Sequence, residues 1–208
     1  MTFRAYTSSI GRMRMLAGDP ALDFANTFHW RGGREVDFIP DYVSLADWSV
    51  PAGLLQPNER DALIVLAAAD PADAAAVHQQ ALVMRALWRE YLPGVLKAAK
   101  TGMASELPVR LKEMLSVFLT EMPLLVGRID DTGGKGLRLP LARIAVSIIS
   151  LHAIPVERQI GQCEGDPCGG FFLNTSRSKP RRWCSMDTCG NRAKVKQFRT
   201  RFAAERTG

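Results

Sequence analysis

All four cysteines of this 208-residue chain lie within 27 consecutive residues. They follow the pattern C-x4-C-x15-C-x4-C, in which Cys163 and Cys168 form one close pair and Cys184 and Cys189 the other. Zinc favours a tetrahedral set of soft thiolates, and two chelating turns joined by a loop are a common way for a chain to supply them. The spacing therefore predicts one zinc ion, and four protein ligands leave it no open position, so we expect a structural site.

Two other states of these cysteines have to be weighed. The first 16 residues contain three arginines and no continuous apolar segment of the kind that directs secretion, so we expect a cytoplasmic protein. Reduced thiols are normal in that compartment, which disfavours a pair of disulfides, and the clustering disfavours unrelated buried thiols. A glycine follows both Cys168 and Cys189. We expect each glycine to allow a turn with positive φ, which would make two copies of one chelating turn.

Positive charge is concentrated near the end of the chain. The net charge is +6, but residues 176–208 carry ten Lys or Arg against two Asp or Glu, or +8, so residues 1–175 carry 6 − 8 = −2. A basic segment of this kind is typical of nucleic-acid binding, because cations neutralise phosphates. The predicted contact residues are Arg177, Lys179, Arg181, Arg182, Arg192, Lys194, Lys196, Arg199 and Arg201.

The last part of this segment has the periodicity of a helix over residues 190–205. Val195, Phe198 and Phe202 would form an apolar stripe that packs on the protein, with cations over the remaining surface. Some of the cations could instead offset the −2 charge of four thiolates around Zn²⁺. The segment remains basic after two or three are set aside for that role, so DNA is the expected partner.

The rest of the chain is mainly helical by its apolar periodicity. A β-hairpin is expected near residues 123–139, where two short apolar runs flank a glycine-rich turn. The predicted fold is mainly α with a small β-hairpin: a helical N-terminal domain, residues 1–155, and a C-terminal zinc-binding module with four cysteine ligands, residues 156–208, that ends in a basic helix. The predicted helices cover residues 20–27, 41–48, 57–69, 72–91, 108–122, 141–154 and 190–205.

Little in the sequence points to catalysis or to a membrane. The three histidines are scattered, and Gly133-Gly134-Lys135-Gly136 lacks the spacing of a phosphate-binding loop. Asp19, Asp23 and Asn26 could form a small polar site, but helix capping explains them more simply. No apolar run approaches the roughly 18 residues of a membrane span. We therefore expect neither an enzyme nor a membrane protein.

Two stretches resemble known families. The segment Arg181-Arg182-Trp183-Cys184-Ser185-Met186, followed by Cys189-Gly190-Asn191-Arg192 and Lys194, resembles the CGNR zinc finger. Residues 18–27, Gly-Asp-Pro-Ala-Leu-Asp-Phe-Ala-Asn-Thr, resemble the start of the ABATE domain that precedes this finger. One departure is Asn174, where the family often has aspartate.

The resemblance implies a bacterial stress-induced transcription regulator whose finger binds zinc through the four cysteines and contacts DNA. The N-terminal domain would sense a small-molecule effector or mediate formation of a homodimer. Two alternatives remain open. The finger could bind RNA or protein, or the helical domain could bind or transform a small molecule while the zinc module only stabilises it.

Overall fold

The fold is known from a computed structural model that describes residues 13–31, 34–101, 105–125, 133–153, 160–176 and 180–205. The predicted fold class is confirmed, because the chain is mainly helical and its strands form small antiparallel pairs. The helices are α1 (Pro20–Ala25), α2 (Tyr42–Ser49), α3 (Pro57–Ala69), α4 (Pro71–Thr101), α5 (Val109–Leu125), α6 (Leu139–Ala153) and α7 (Asn191–Glu205). The strands are β1 (Phe28–Arg31), β2 (Arg34–Asp37), β3 (Ile160–Gln162) and β4 (Phe171–Leu173).

Polar residues start the first three helices. The Asp19 carboxylate accepts a hydrogen bond from the Ala21 amide at 2.8 Å, and Pro20 supplies the fixed φ that suits a first helical residue. Asp41 caps α2 in the same way through the Ser44 amide, at 2.7 Å. At α3, the backbone N–H of Gln56 donates to the Glu59 carboxylate at 2.7 Å. These local signals fix where each helix begins.

Helix α4 forms one side of the main core. The helix buries an apolar stripe, and Trp88 in that stripe is only 1% exposed and donates its indole N–H to the Ala21 carbonyl at 2.8 Å. The predicted end of this helix at residue 91 is wrong, because the helix continues through Pro93 to Thr101. The stripe consists of Val77, Ala81, Met84, Trp88 and Tyr91.

Helix α6 packs at the centre of the same core, against α1 and α5. The segment Gly136–Ala153 is long and apolar enough to cross a membrane, but 61% of it is buried inside the protein. A core helix of this kind needs no lipid, because other helices already cover its apolar surface.

The predicted β-hairpin at residues 123–139 is wrong for the residues that the structure describes. Helix α5 extends to Leu125, and Gly133–Arg138 forms a short 3-10 helix, while residues 126–132 lie outside the described part. Short apolar runs do not distinguish a strand from a helix, and here the first run continues the helical pattern of Leu111, Leu115 and Phe118. The Tyr42 hydroxyl donates to the Leu137 carbonyl at 2.8 Å and so holds the 3-10 segment on the core.

A hairpin exists elsewhere in the N-terminal part. Strands β1 and β2 pair antiparallel, with Phe28 opposite Asp37 and Arg31 opposite Arg34. The sequence contained a signal for it, since two glycines at positions 32 and 33 separate two short runs rich in strand-forming residues. Strands β3 and β4 form the second pair, with Ile160 opposite Leu173.

The predicted division at residues 155 and 156 falls in the range 154–159, outside the described residues, and stays a prediction. Ile160 and Phe171 nevertheless belong to the same apolar core as the N-terminal helices. The C-terminal strands are therefore packed on the N-terminal part.

Candidate metal centre and basic helix

The first cysteine pair lies in the turn that joins β3 to β4. The Cys163 amide donates to the Gly170 carbonyl at 2.8 Å, which closes the turn. Gly169 has φ +62°, so the positive φ expected after Cys168 is confirmed. Strand pairing thus brings Cys163 and Cys168 to one end of a short hairpin.

The second pair lies where a single π-helical turn, Met186–Gly190, leads into α7. The Glu164 amide donates to the Arg182 carbonyl at 2.9 Å and joins this segment to the first turn. The expectation of a positive φ at Gly190 is wrong, since the positive φ values among the described residues occur at Gly18, Gly53 and Gly169. A Cβ at Gly190 would lie 2.6 Å from Met186 Sδ, so a side chain there would displace the Met186 side chain.

The four sulfur atoms are close enough to share one ion. They all lie within 4.8 Å of one another. Cys184 Sγ is 3.8 Å from Cys168 Sγ and 3.6 Å from Cys189 Sγ. A tetrahedral zinc site with Zn–S bonds of about 2.3 Å separates its sulfurs by roughly 3.8 Å. The described distances therefore fit zinc.

The surroundings of the sulfurs also fit a metal site. Cys163 and Cys189 are buried, and Cys168 and Cys184 are half-buried beside Trp183. The Gly165 amide donates to Cys163 Sγ at 3.4 Å, as amides do at a thiolate. A side chain at Gly165 would lie 2.9 Å from Cys189 Cβ and 3.3 Å from Cys163 Sγ.

Three of the thiols lie close enough to shift one another's pKa. Hydrogen bonds from the Cys168 and Cys184 thiols lower the pKa of Cys163 well below its usual value. The hydrogen bonds to Cys163 in turn raise the pKa of Cys168 and Cys184 above the usual value. One thiolate thus forms readily and opposes the others, so four thiolates together need positive charge among them. The cysteines hold one structural zinc ion.

The zinc module is attached to the N-terminal helices by specific polar contacts. The Asn26 side chain donates to the Phe171 carbonyl at 2.8 Å and accepts from the Phe171 amide at 2.9 Å. The Leu173 amide donates to the Ala17 carbonyl at 2.7 Å. From the sequence alone, Asn26 is expected to form hydrogen bonds only within its own segment. Its partner is 145 residues away, so no local pattern could have identified it.

Two aspartates near Asn26 organise the same contact region. The Asp23 carboxylate accepts from the Leu16 and Ala17 amides, both at 3.2 Å, and so fixes the segment that Leu173 binds. Burial raises the pKa of Asp23 to about 6, and the nearby Asp19 charge adds to the rise against the lowering effect of the two amides. The expected local explanation holds for Asp23 and for the Asp19 helix cap, but Asp19 also accepts a hydrogen bond from the distant Ser147 hydroxyl at 3.2 Å.

The predicted nucleic-acid contacts divide into three groups. Arg177 and Lys179 lie outside the described residues. Arg181 donates to the Leu173 carbonyl and stacks on Phe172, and Arg182 and Lys196 form ion pairs with Glu164 and Asp166 at 2.6 and 3.1 Å. The remaining four are exposed on α7 and form no ion pair with any residue whose side chain the structure describes: Arg192, Lys194, Arg199 and Arg201.

The expectation that one face of α7 packs on the protein through its apolar stripe is wrong. Val195, Phe198 and Phe202 are 49%, 62% and 53% exposed. The helix contacts the turn that precedes it and, through Lys196, the loop that carries Asp166. Ala193, Gln197 and Thr200 line a cleft against that loop, so the side with the apolar stripe points away.

A wider groove of about 690 Å³ runs between the N-terminal segment and the zinc module. Trp183 lies in it with the Arg182 guanidinium 5.0 Å from its ring centre. The groove is open and contains both cationic and aromatic surface. Its lining includes Met15, Gly18, Leu173, Arg181, Arg182 and Trp183.

Comparison with known proteins gives two matches. The CGNR zinc finger matches residues 159–202. The ABATE family, described as "Putative stress-induced transcription regulator", matches residues 18–153. No curated protein matches the chain. The ABATE match covers more than half of the 208 residues and includes the helices that hold the zinc module in place. The chain therefore belongs to the ABATE family and carries a CGNR zinc finger after that domain.

Proposed function

We propose that this protein binds DNA through its zinc module and regulates transcription. The observation that carries the proposal is the set of four exposed cations on α7 without an ion pair among the described residues. Unpaired cations on one helix are free to neutralise phosphates and release counterions. The family match supports a regulator, since its description names transcription.

The zinc ion would act by holding two cationic parts in a fixed relation. One part is the segment with Arg181, Arg182 and Trp183, and the other is α7, and Cys184 and Cys189 lie between them. Arg181 and Arg182 are positioned over aromatic rings, which limits their motion. A preset pair of guanidinium groups loses less freedom on binding a phosphate.

The N-terminal domain would sense a small-molecule effector or mediate dimerisation, in a cytoplasmic protein without catalytic activity. Phe171 links its helices to the zinc module through the Asn26 contact, and the preceding residue, Gly170, accepts a hydrogen bond from the Cys163 amide, so a change in the helices could reach the basic surface. Binding of RNA or of a protein by the finger is the alternative.

The test is the binding of zinc-loaded protein to labelled duplex DNA over a series of salt concentrations. The variant combines Lys194→Ala, Arg199→Ala and Arg201→Ala. The matched control removes three exposed cations from the N-terminal helices, Lys97→Ala, Lys100→Ala and Arg110→Ala. The slope of log K for binding against the logarithm of the salt concentration should become less steep by about 0.9 for each phosphate that the variant no longer neutralises. The control should keep the wild-type slope.

Absence of binding at low salt, or an equal effect of the two triple variants, would contradict the proposal. An RNA hairpin is tested beside the duplex. If the protein binds the hairpin more tightly than the duplex, the cationic surface is an RNA-binding surface.

A further inference from the structure

Helix α7 has an apolar surface that the described part of the chain leaves exposed. We call Val195, Phe198 and Phe202 the α7 stripe; the Phe198 and Phe202 ring centres are 4.8 Å apart. At 100° per residue the stripe has cations along both of its edges. Lys194 and Arg201 lie on one edge, and Arg192 and Arg199 lie on the other.

A stable isolated helix of this length is unusual. α7 has 15 residues and packs little of its surface on the rest of the described chain. Helices of about 12 to 15 residues are marginal in water without tertiary contacts. An amphipathic helix with this arrangement is suited to an apolar groove that has acidic edges.

Such a groove exists on the N-terminal domain, between α2, α3 and α4. Its volume is about 370 Å³, and Val43 on its edge is 42% exposed. We call it the α2–α4 groove. Its lining is mainly apolar and includes Val43 from α2, Ile64 and Ala68 from α3, and Ala75 from α4.

Carboxylates without an ion pair lie in this groove or next to its lining in sequence: Asp41 lines it, and Asp70 and Asp73 directly precede the lining residues Pro71 and Ala74. Residues 41–75 contain six Asp or Glu and one Arg. The arginine, Arg60, is paired with Asp47 and Asp61, and Glu59 is paired with Arg143. No described cation forms an ion pair with the other three carboxylates, which belong to Asp41, Asp70 and Asp73.

We propose that the α7 stripe of one chain docks in the α2–α4 groove of a second copy. Both surfaces are exposed in the single chain, so neither covers the other there. Pairing of two α7 helices would bring cations against cations, whereas helix and groove have opposite unpaired charges. The proposal does not depend on nucleic-acid binding.

The contact joins two different surfaces, so it has a specific consequence. Two copies can exchange helices reciprocally and close a dimer, or each copy can bind the next and extend a chain. Either arrangement requires an intact helix on one partner and an intact groove on the other.

The test uses two full-length, zinc-loaded variants with complementary defects. Phe198→Gln with Phe202→Gln removes the stripe but keeps the groove. Val43→Lys places a cation in the groove but keeps the stripe. Val117→Lys, on α5 and 49% exposed, is the matched control. Molar mass is measured by light scattering at low salt without nucleic acid, and zinc and helix content are checked for each chain.

Wild-type protein and the Val117→Lys control should associate in the micromolar range, and high salt should weaken the association. Each of the two defective chains alone should be monomeric, and a mixture of the two should form a one-to-one complex. If Val43→Lys loses helix content, Ala75→Lys in the same groove replaces it.

A monomeric wild-type protein would overturn the proposal. So would a mixture that stays monomeric while the wild-type protein associates, because the mixture contains one intact stripe and one intact groove, which should bind each other. If either defective chain associates by itself, the surface that it lacks is not needed for association, and the proposal fails.

Discussion

Helices α4 and α7 have the same kind of apolar periodicity but opposite surroundings. In α4 the stripe is buried, with Met84 fully covered and Trp88 1% exposed, whereas Phe198 in α7 is 62% exposed. Helix α4 contacts α1, α2, α3, α5 and the 3-10 segment, and α7 contacts mainly the turn that zinc organises. Apolar burial therefore holds the first helix in place, and metal coordination positions the second.

Removal of zinc should produce the largest difference in amide protection between α4 and the zinc module. Structural zinc contributes about 10 to 16 kcal/mol of apparent binding free energy in small modules. We expect a chelator to abolish amide protection in residues 160–176 and 180–190 while α4 keeps its protection, as measured by hydrogen exchange with mass spectrometry. Equal loss of protection in α4 would show that the zinc module also supports the helical core.

Truncation of one side chain in each stripe should give a smaller but clear difference between the two changes in the free energy of unfolding. Trp88→Ala should lower the free energy of unfolding by about 3 to 5 kcal/mol, because it leaves a cavity and removes the hydrogen bond to the Ala21 carbonyl. Phe202→Ala should change it by no more than about 0.5 kcal/mol. Urea denaturation of zinc-loaded monomers measures both. A large effect of Phe202→Ala would mean that the α7 stripe is covered within one chain.

Loss of the contact that joins the two regions should have a smaller effect than the loss of Trp88. Asn26→Ala leaves the Phe171 amide and carbonyl without their partners and should cost about 1 to 3 kcal/mol. Faster hydrogen exchange in residues 171–173 should accompany the loss. The control is Asn58→Ala, on the exposed first turn of α3. An equal change in the two variants would argue against a role of Asn26 in attachment.

The same contrast shows how far the sequence could be interpreted. The cysteine ligands and the buried stripe of α4 were predictable, because metal chelation and helix periodicity depend on nearby residues. Periodicity describes which residues share a face but not what covers it, so the exposure of the α7 stripe was not predictable. The hairpin expected at residues 123–139 failed because short apolar runs suit both helices and strands. The Asn26 contact joins residues far apart in sequence and needs the folded chain.

The bond between Asn26 and Phe171 also bears on how such proteins can be recombined. Zinc fingers are often regarded as cassettes that can be moved between hosts. Here the backbone N–H and carbonyl of Phe171 both form hydrogen bonds with the Asn26 side chain, and the Leu173 amide donates to the Ala17 carbonyl. A host without an amide side chain and a free carbonyl at these positions would leave β4 with unsatisfied peptide groups. A chimaera should therefore take residues 16–27 together with the finger, so that the unit of exchange is discontinuous in sequence.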